Sequence, residues 1–331
     1  MSEPTPPEKP LKTWSHLSGQ RRRPSEYEVV STRLHYHTRD PERVWELDPN
    51  IPMAKWYQEN CGGSDLQHED WDVYRDPDEM IYRTYNIVQD GQEHYVNGLF
   101  DQFNERGHDL MLESGWVDFL SVAYTPARYL FHGLQMGSAY ISQLAPASTI
   151  SNCATYTTAD HLRWLTHTAY RTRELANAYA DRGFGEAERS HWENDPCWQG
   201  FRELTEKALV AWDWGESFAA IMLVLKPAVE AGVFEALGDV ARANDDTLLG
   251  LLTQAQTRDA ERHRRWSNAL VKTALTNNAN RVVLGRWIEK WVPLADAAID
   301  NYCANFPGDG AQSATQAKAR SARLRDEFEL G

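Results

Sequence analysis

Apolar side chains recur every three or four residues through most of the chain after residue 75, a spacing that predicts amphipathic helices. No segment after residue 40 alternates apolar and polar residues convincingly enough to give a set of paired strands. Helices are therefore predicted, in chain order, from Asp76-Pro77 onward and over residues 92–112, 126–145, 157–180, 198–225, 228–242, 245–275 and 281–304. The pattern as a whole predicts a single all-α domain over residues 27–306.

The two ends of the chain depart from this pattern. Residues 1–26 are rich in proline and charge, so they are predicted to form an arm without a core of its own. Residues 27–38 are expected to be extended, and the tail over 307–331 is either disordered or a frayed helix. Trp14 and Leu17 are unusually apolar for a free arm, which favours docking on a partner; folding back onto the arm's own bundle is the alternative. The candidate docking residues are Trp14, Leu17, Arg21, Arg22, Arg23 and Tyr27.

Composition narrows the possible functions. The net charge of −14 disfavours nucleic acid, because a phosphate backbone would be repelled without a segregated basic face. No uninterrupted apolar run approaches the roughly 20 residues that a membrane span needs, and the N-terminus lacks the pattern of a signal peptide. The four cysteines show no C-x-x-C spacing, as expected for reduced thiols. A cytoplasmic globular protein is therefore predicted, with neither nucleic acid nor membrane as a partner.

Two stretches, 160–164 and 259–263, share the pattern D-x-x-R-x and begin 259 − 160 = 99 residues apart. Carboxylate-bridged di-iron proteins carry two Glu-x-x-His pairs on two core helices of a four-helix bundle, often within the string D-E-x-R-H. The spacing places both ligands of a pair on one helix face. The two stretches therefore have the form of a di-iron motif.

The metal ligands of this motif are largely missing. His161 stands where the first glutamate would be and Trp164 where the first histidine would be. In the second copy Ala260 replaces the glutamate, and only His263 remains. The sequence therefore predicts a degenerate, metal-free site.

The other two carboxylates of a di-iron site come from helices roughly thirty or a few more residues upstream of each motif. The corresponding windows, 129–132 and 223–226, contain no carboxylate. Glu230 lies near the second window, but Pro227 is expected to end or redirect its helix, so Glu230 is discounted as a ligand. No cofactor is expected in this chain.

Charges inside a helical bundle are rarely left unpaired. The polar residues that remain in the two motifs are therefore predicted to form a buried network between the two motif helices. Its members are Asp160, Arg163, Asp259, Arg262 and His263. Two further Glu-x-x-His strings, Glu105/His108 and Glu188/His191, are each alone and are predicted to be solvated.

Several longer strings carry a resemblance to one family. They are Lys12-Thr13-Trp14-Ser15-His16-Leu17, Tyr82-Arg83-Thr84-Tyr85-Asn86, Arg128-Tyr129-Leu130-Phe131-His132, Ala145-Pro146-Ala147-Ser148-Thr149-Ile150 and Asp259-Ala260-Glu261-Arg262-His263. Together they closely resemble the hydroxylase β subunits of toluene monooxygenases, within the bacterial multicomponent monooxygenases. The resemblance runs from about residue 10 to 306 and leaves out only the tail.

The resemblance implies a ferritin-like, ribonucleotide-reductase-like helical bundle with an extended N-terminal arm. It also implies an (αβγ)2 assembly in which the α subunit holds the di-iron site and oxidises the aromatic ring. A regulatory protein, a Rieske ferredoxin and an NADH-dependent reductase complete such a system. The β subunit is non-catalytic, which agrees with the missing ligands.

Two alternatives remain open at this stage. In the first alternative, the chain is the β subunit of a phenol, alkene or methane monooxygenase. The β subunits of those enzymes share the same fold. The other alternative is an enzyme that acts alone, with metal at a remodelled site formed by His161, His263 and Glu105. Iron content of the isolated chain separates this second alternative from the scaffold interpretation.

Overall fold

The structure, a computed structural model, describes residues 22–35, 48 and 50–329, and the regular elements within these residues are helices. Their bounds, in chain order, are α1 Glu26–Ser31, α2 Pro52–Tyr57, α3 Tyr82–Glu105, α4 Ser114–Ala123, α5 Ala127–Leu144, α6 Ser148–Ala178, α7 Glu188–Asn194, α8 Pro196–Leu209, α9 Trp214–Ala243, α10 Thr247–Ala274, α11 Ala279–Cys303 and α12 Gly310–Asp326. The all-α prediction is confirmed for this part of the chain.

Helix α3 replaces two predicted helices and begins later than expected. The Asp76 carboxylate accepts the backbone N–H groups of Asp78 and Met80 at 3.0 Å each, which holds the chain in a turn. The helix therefore starts only at Tyr82 and runs unbroken through Gly91. It ends before Gly107, whose positive φ of 64° stops the helix, as glycine commonly does after a helix C-terminus.

Helices α5 and α6 form a hairpin around the short connection at Pro146 and pack closely along their length. The predicted start of α6 at residue 157 was wrong, because the hydroxyls of Thr157 and Thr158 donate to carbonyls four residues earlier within the helix instead of capping it. Helix α4, which no sequence pattern predicted, precedes this hairpin in the chain.

Helix α9 was predicted as two separate helices around Pro227. It is one continuous helical stretch that contains two π-helical segments, Ala219–Leu225 and Glu230–Ala236. Pro227 is tolerated because it lies at the start of a single α-helical turn, Lys226–Val229, just after a π-helical segment that has already shifted the hydrogen-bond ladder. The helix is long and apolar enough to span a membrane by composition, a feature that the search for uninterrupted apolar runs missed. Its apolar window is completely buried inside the bundle, as in the core helix of a soluble protein.

Helix α10 begins where the sequence indicated, because the Asp246 side chain accepts the backbone N–H of Leu249 at 3.0 Å. The predicted tail boundary at residue 306 was wrong. Helix α12 packs against α9 and α11, and Phe328 beyond it is 0 % exposed. The domain therefore extends to the end of the described residues.

The region before α3 also differs from the prediction. Residues expected to be extended form α1, which Ser25 caps while the Glu28 side chain bonds back to the Ser25 N–H. The four helices α5, α6, α9 and α10 surround the centre of the core, and α3 packs across α10. Both motifs therefore lie on helices of one four-helix bundle, facing each other.

Candidate functional site

The two degenerate motifs meet in the core through crosswise hydrogen bonds between α6 and α10. Asp160 on α6 accepts a hydrogen bond from Nε2 of His263 on α10, at 2.8 Å. Asp259 on α10 accepts one from the indole Nε1 of Trp164 on α6, at 2.9 Å. Each motif thus contributes an aspartate that bonds to the fifth residue of the other motif. The arrangement has the pseudo-two-fold symmetry that the repeated sequence pattern indicates.

The arginines of the two motifs pair crosswise as well. Arg163 donates to Asp259 at 3.0 Å, and the Arg262 guanidinium pairs with Asp160. Asp160 is fully buried, and Asp259 and Arg262 are 6 % and 8 % exposed. Two carboxylates and two guanidinium groups therefore compensate each other in a region where an unpaired charge would be costly. The structure brings together all five residues that were predicted to form the network.

Helix α3 supplies further donors that the sequence analysis did not identify. The Tyr85 hydroxyl donates to Asp160 at 2.9 Å, and the Gln89 amide donates to Asp160 at 2.8 Å and to Asp259 at 3.1 Å. Glu93, one turn further along α3, accepts from Arg163 at 2.6 Å and contacts His167 at 3.0 Å. The hydrogen bond with His167, followed by the charges of His167 and Arg163, lowers the pKa of Glu93 to about 2 despite partial burial.

The space between the motif helices is occupied by a large ring. Trp164 is 1 % exposed, and its ring centroid lies 4.9 Å from that of His161, 5.6 Å from that of His263 and 5.0 Å from that of Phe234. An indole N–H is a donor only and cannot coordinate a metal. In the second motif, Ala260 stands at the glutamate position, is fully buried and carries no ligand atom.

A di-iron centre does not fit this donor set. Iron of this type requires carboxylates and imidazoles that converge from four helices. The upstream window on α9 instead places Lys226 against the motif, with Nζ 4.2 Å from the centroid of the Trp164 ring. Among the described residues no group of three or more His, Cys, Asp or Glu side chains has an arrangement that could hold a metal ion.

Glu230 lies inside the bundle, so the reason given for discounting it was wrong. It is 1 % exposed on the continuous helix α9, three residues after Pro227. One of its oxygens pairs with Arg264 on α10, and the other lies 4.0 Å from Nζ of Lys226. Glu230 is therefore engaged in ion pairs within its own chain.

A second buried network links α6 to the start of α10, and sequence reasoning missed it. Arg171 is fully buried and donates to Asp246 at 2.8 Å and to Asp109 at 3.0 Å. Burial alone would raise the pKa of Asp246, but the charge of Arg171 and hydrogen bonds from His108 and neighbouring groups outweigh it and lower the pKa to about 2. The only sequence signal was an aspartate at a helix N-cap, which does not reveal a distant arginine.

Two of the residues predicted to be solvated belong to buried interactions. His108 is 8 % exposed and contacts Asp246 at 3.2 Å, so it is part of the second network. Glu188 is 1 % exposed and accepts the backbone N–H of Gly185 at 2.6 Å, closing a turn. The prediction that these side chains are solvated agrees with the structure only for Glu105, which is exposed, and for His191, which is partly exposed.

The structure does not bring together the metal site proposed for an enzyme that acts alone. His161 and His263 are buried side by side, with ring centroids 5.5 Å apart. Glu105 is exposed at the C-terminal end of α3 and does not share their buried environment. The three side chains proposed for a stand-alone metal enzyme are therefore not brought together as a ligand set.

Only part of the predicted docking arm can be located. Trp14, Leu17 and Arg21 lie outside the described residues. Arg22 pairs with Glu28, and Arg23 is exposed. Tyr27 is 5 % exposed and its hydroxyl accepts the backbone N–H of Asp76 at 3.0 Å, so it packs on its own chain and presents no free aromatic face to a partner. The described end of the arm therefore folds back onto its own chain, which was the alternative to docking on a partner.

A four-helix core with paired Asp–Arg motifs on two facing helices defines a helical bundle of the ferritin-like kind. The chain matches the model of the Methane/Phenol/Alkene Hydroxylase family over residues 34–278, and it belongs to that family. The family resemblance and the ferritin-like fold predicted from the sequence are thereby confirmed.

Named relatives give the comparison more detail. The chain is 56 % identical over 301 residues to the hydroxylase component subunit beta of the toluene-4-monooxygenase system of Ectopseudomonas mendocina, covering 91 % of this chain and 92 % of that relative. It is 26 % identical over 238 residues to the oxygenase component DmpL of phenol 2-monooxygenase from Pseudomonas sp. strain CF600, covering 71 % and 70 %. A solved structure of toluene 4-monooxygenase with toluene bound in its resting active site matches with a TM-score of 0.85 and 56 % identity, over 89 % of this chain and 97 % of that one.

Proposed function

We propose that this chain is the non-catalytic β subunit, a scaffold, of the hydroxylase component of a multicomponent toluene or other aromatic-ring monooxygenase. It pairs with α and γ subunits in a cytoplasmic (αβγ)2 assembly. The α subunit carries the di-iron centre and hydroxylates the aromatic substrate with O2. Electrons from NADH reach it through a reductase and a Rieske ferredoxin, and a regulatory protein completes the system.

One observation carries this proposal. The chain is 56 % identical to a toluene-4-monooxygenase hydroxylase subunit beta along nearly the full length of both proteins. The core geometry supports a non-catalytic role, because the motif positions that would bind iron hold Trp164 and Ala260, and the remaining polar groups pair with each other. What the chain supplies to the assembly is then a rigid helical surface rather than reacting groups.

The exposed surface of α3 and the turn that follows it is the proposed contact with α. Large apolar side chains are left exposed there: Tyr82 is 76 %, Ile87 64 %, Leu110 69 % and Met111 69 % exposed. Obligate interfaces are rich in apolar area. Helix α5 is mostly buried within the bundle, so its surface contributes less to this contact.

Reconstitution tests the proposal. The full chain is combined with the α and γ subunits of the toluene-4-monooxygenase relative, and assembly mass, iron per complex and aromatic hydroxylation are measured. Omission of the chain should prevent assembly and abolish hydroxylation, while the isolated chain should contain no iron. Iron at about two atoms per isolated chain, the number in a di-iron centre, would contradict the non-catalytic assignment.

The arm requires its own experiment. Deletion of residues 1–21 should leave the helical content unchanged and weaken assembly with α, because Trp14 and Leu17 are then absent from the interface. A matched deletion of the last two residues, 330–331, controls for the loss of terminal residues as such. Unchanged assembly and activity after the arm deletion would remove the arm from the proposed interface.

A β subunit of a phenol, alkene or methane monooxygenase is the second candidate. The share of identical residues favours the toluene class, since the phenol 2-monooxygenase relative is only 26 % identical. Chimeric assembly distinguishes the two, because the chain should assemble with the α and γ subunits of the toluene system and poorly with those of a phenol system. Equal assembly with both would leave the choice to the native partners.

A further inference from the structure

A groove between α3 and α6 opens on the surface next to the buried charge network. Its volume is about 600 Å³, and its lining includes Tyr85, Gln89, Asp90 and Glu93 from α3 and Arg163 from α6. Three of these side chains, those of Tyr85, Gln89 and Arg163, also bond to the buried aspartates of the network. The groove is therefore the place where the network approaches the surface.

Asp90 is the least compensated charge in the groove. Its side chain is 73 % exposed, and its one ion-pair contact among the described residues is His94, at 3.5 Å. Glu93 is 37 % exposed and stays ionised, because its bonds to neighbouring cations lower its pKa to about 2. Arg163 pairs with Glu93 but also with Asp259, so it does not compensate Asp90 as well.

The groove and the network beside it hold more negative than positive charge. Four carboxylates stand against two guanidinium groups; these six are Asp90, Glu93, Asp160, Asp259, Arg163 and Arg262. Even with His167 protonated against Glu93, one negative charge remains without compensation. A concave surface with an excess of one sign of charge attracts a ligand of the opposite sign. The groove therefore favours a cation.

Gln89 adds an acceptor to the groove that is independent of the carboxylates. It is 5 % exposed, and its amide nitrogen donates to both Asp160 and Asp259, which fixes the orientation of the amide. Its Oε1 then has no hydrogen-bond partner among the described residues. A ligand that donates N–H groups suits this lining better than a metal ion, because no three metal-binding side chains of the described residues come together.

Apolar side chains border these polar groups. Ile87 lines the groove and is 64 % exposed, and Tyr82, five residues earlier on α3, is 76 % exposed. Polar contacts beside exposed apolar side chains are typical of protein interfaces, where the apolar contacts exclude water from the polar ones. The cation that the groove favours is therefore a side chain carried by another protein surface.

We propose that this groove is a socket for one arginine or lysine side chain of the partner α subunit. Asp90 is its main carboxylate, and Gln89 and Glu93 supply further acceptors. An arginine suits the socket best, because its planar guanidinium group donates to several acceptors at once. The inference rests on the proposed function, which places α3 against α.

Reconstitution with the α and γ subunits of the toluene-4-monooxygenase relative provides the first test. Asp90→Lys places a like charge in the socket, so assembly should weaken on the order of 10–100-fold. Asp90→Asn should weaken assembly less and make it less dependent on salt concentration. Asp181→Asn is the matched control, since its side chain is 85 % exposed in the connection after α6 and lies outside the groove. The control should assemble like the wild-type chain.

The outcomes separate the socket from the proposed function. Equal assembly of Asp90→Lys and the wild-type chain would overturn the socket and leave the proposed function intact. Failure of the wild-type chain to assemble with α would overturn both. The melting temperatures of the isolated variants should match that of the wild-type chain, because Asp90 is exposed; if Asp90→Lys nevertheless fails to fold, the salt dependence of Asp90→Asn decides the question.

A structure of the reconstituted assembly provides the second test. A side-chain nitrogen of an arginine or lysine of α is expected within about 4 Å of the Asp90 carboxylate, the distance of an ion pair. A groove that faces solvent in the assembly would overturn the proposal. A groove filled by an apolar side chain of α, or by residues 1–21 of this chain, would overturn it as well.

Discussion

Asp160→Asn tests whether the crosswise charge network holds α6 to α10. Asparagine keeps the size of the side chain but removes the charge, and its amide nitrogen donates where the carboxylate only accepted. Asp160 is fully buried and accepts from Tyr85 on α3, while Arg262 and His263 on α10 also contact it. The substitution therefore leaves two guanidinium groups facing a single buried carboxylate.

Asp160→Asn replaces one carboxylate oxygen by an amide nitrogen, and the expected loss of stability is large for so small a change. Removal of one partner of a buried ion pair costs about 3–5 kcal/mol, because the other charge remains buried without compensation. For a domain of this size, roughly 2 °C of melting temperature is lost per kcal/mol, so the shift should be about 6–10 °C. Arg189→Ala is the matched control, since Arg189 is 75 % exposed and pairs with Glu193 on the surface. That control should leave the melting temperature unchanged.

Thermal unfolding of the full chain, followed by far-ultraviolet circular dichroism, measures the difference. A double-mutant cycle of Asp160→Asn with Arg262→Met then isolates the pair, and a coupling energy of about 0.5–3 kcal/mol is expected for residues in one network. A melting temperature for Asp160→Asn within error of the Arg189→Ala control would refute the reasoning. The network would then be a packing feature without energetic weight.

Four further outcomes follow from burial and packing. His161 and His263 stay neutral in the folded state, whereas the unfolded chain takes up protons on both histidines below a pKa of about 6.5. The free energy of unfolding should therefore fall by up to about 2.7 kcal/mol per pH unit below that value. Urea midpoints that stay constant from about pH 7.5 to about pH 5.5 would contradict this. Gly200→Ala should destabilise by about 1–3 kcal/mol, because its Cβ would lie 2.5 Å from the α11 backbone. Gly98→Ala, in the exposed interior of α3 with open space around it, should instead stabilise by about 0.5–1 kcal/mol in the same denaturation assay. Removal of residues 310–331 should lower the melting temperature, since it strips the helix that packs on α9 and α11, and an unchanged melting temperature would show that α12 is an appendage.

Local sequence signals predicted elements where local interactions decide the backbone. Helix α10 begins at the predicted place because its own cap residue, Asp246, bonds to its first turn. The prediction failed at α9, since Pro227 lies in a single α-helical turn between two π-helical segments and does not end the helix. It failed at α12 as well. The Ala- and Arg-rich sequence of this segment is typical of a frayed tail, and it does not show that the segment packs against the core. No local sequence pattern reported the π-helical backbone of α9 or the packing of α12 against the core.

The site was predictable to a similar extent. The repeated motif pointed to the Asp–Arg–His network, because the residues that remained were charged and shared one face of two core helices. The donors from α3 and the network around Arg171 were not predictable, since their partners lie 62 to 170 residues apart in the chain with no repeated spacing. Lys226 entered the sequence analysis only as part of a window without a carboxylate, and the structure places its Nζ 4.2 Å from the centroid of the Trp164 ring.

The form of the surviving motif has a physical explanation. In an intact site, metal ligands compensate the charge of the metal, whereas an aspartate that accepts from a ligand imidazole is compensated by protein groups. Here Asp160 and Asp259 are matched by Arg262 and Arg163, so the four motif charges compensate one another without a metal. Trp164 completes the replacement, because its indole N–H gives Asp259 the hydrogen bond that an imidazole would otherwise give. A bundle can therefore lose its metal chemistry and keep its core, provided that the outer Asp–Arg pairs remain together.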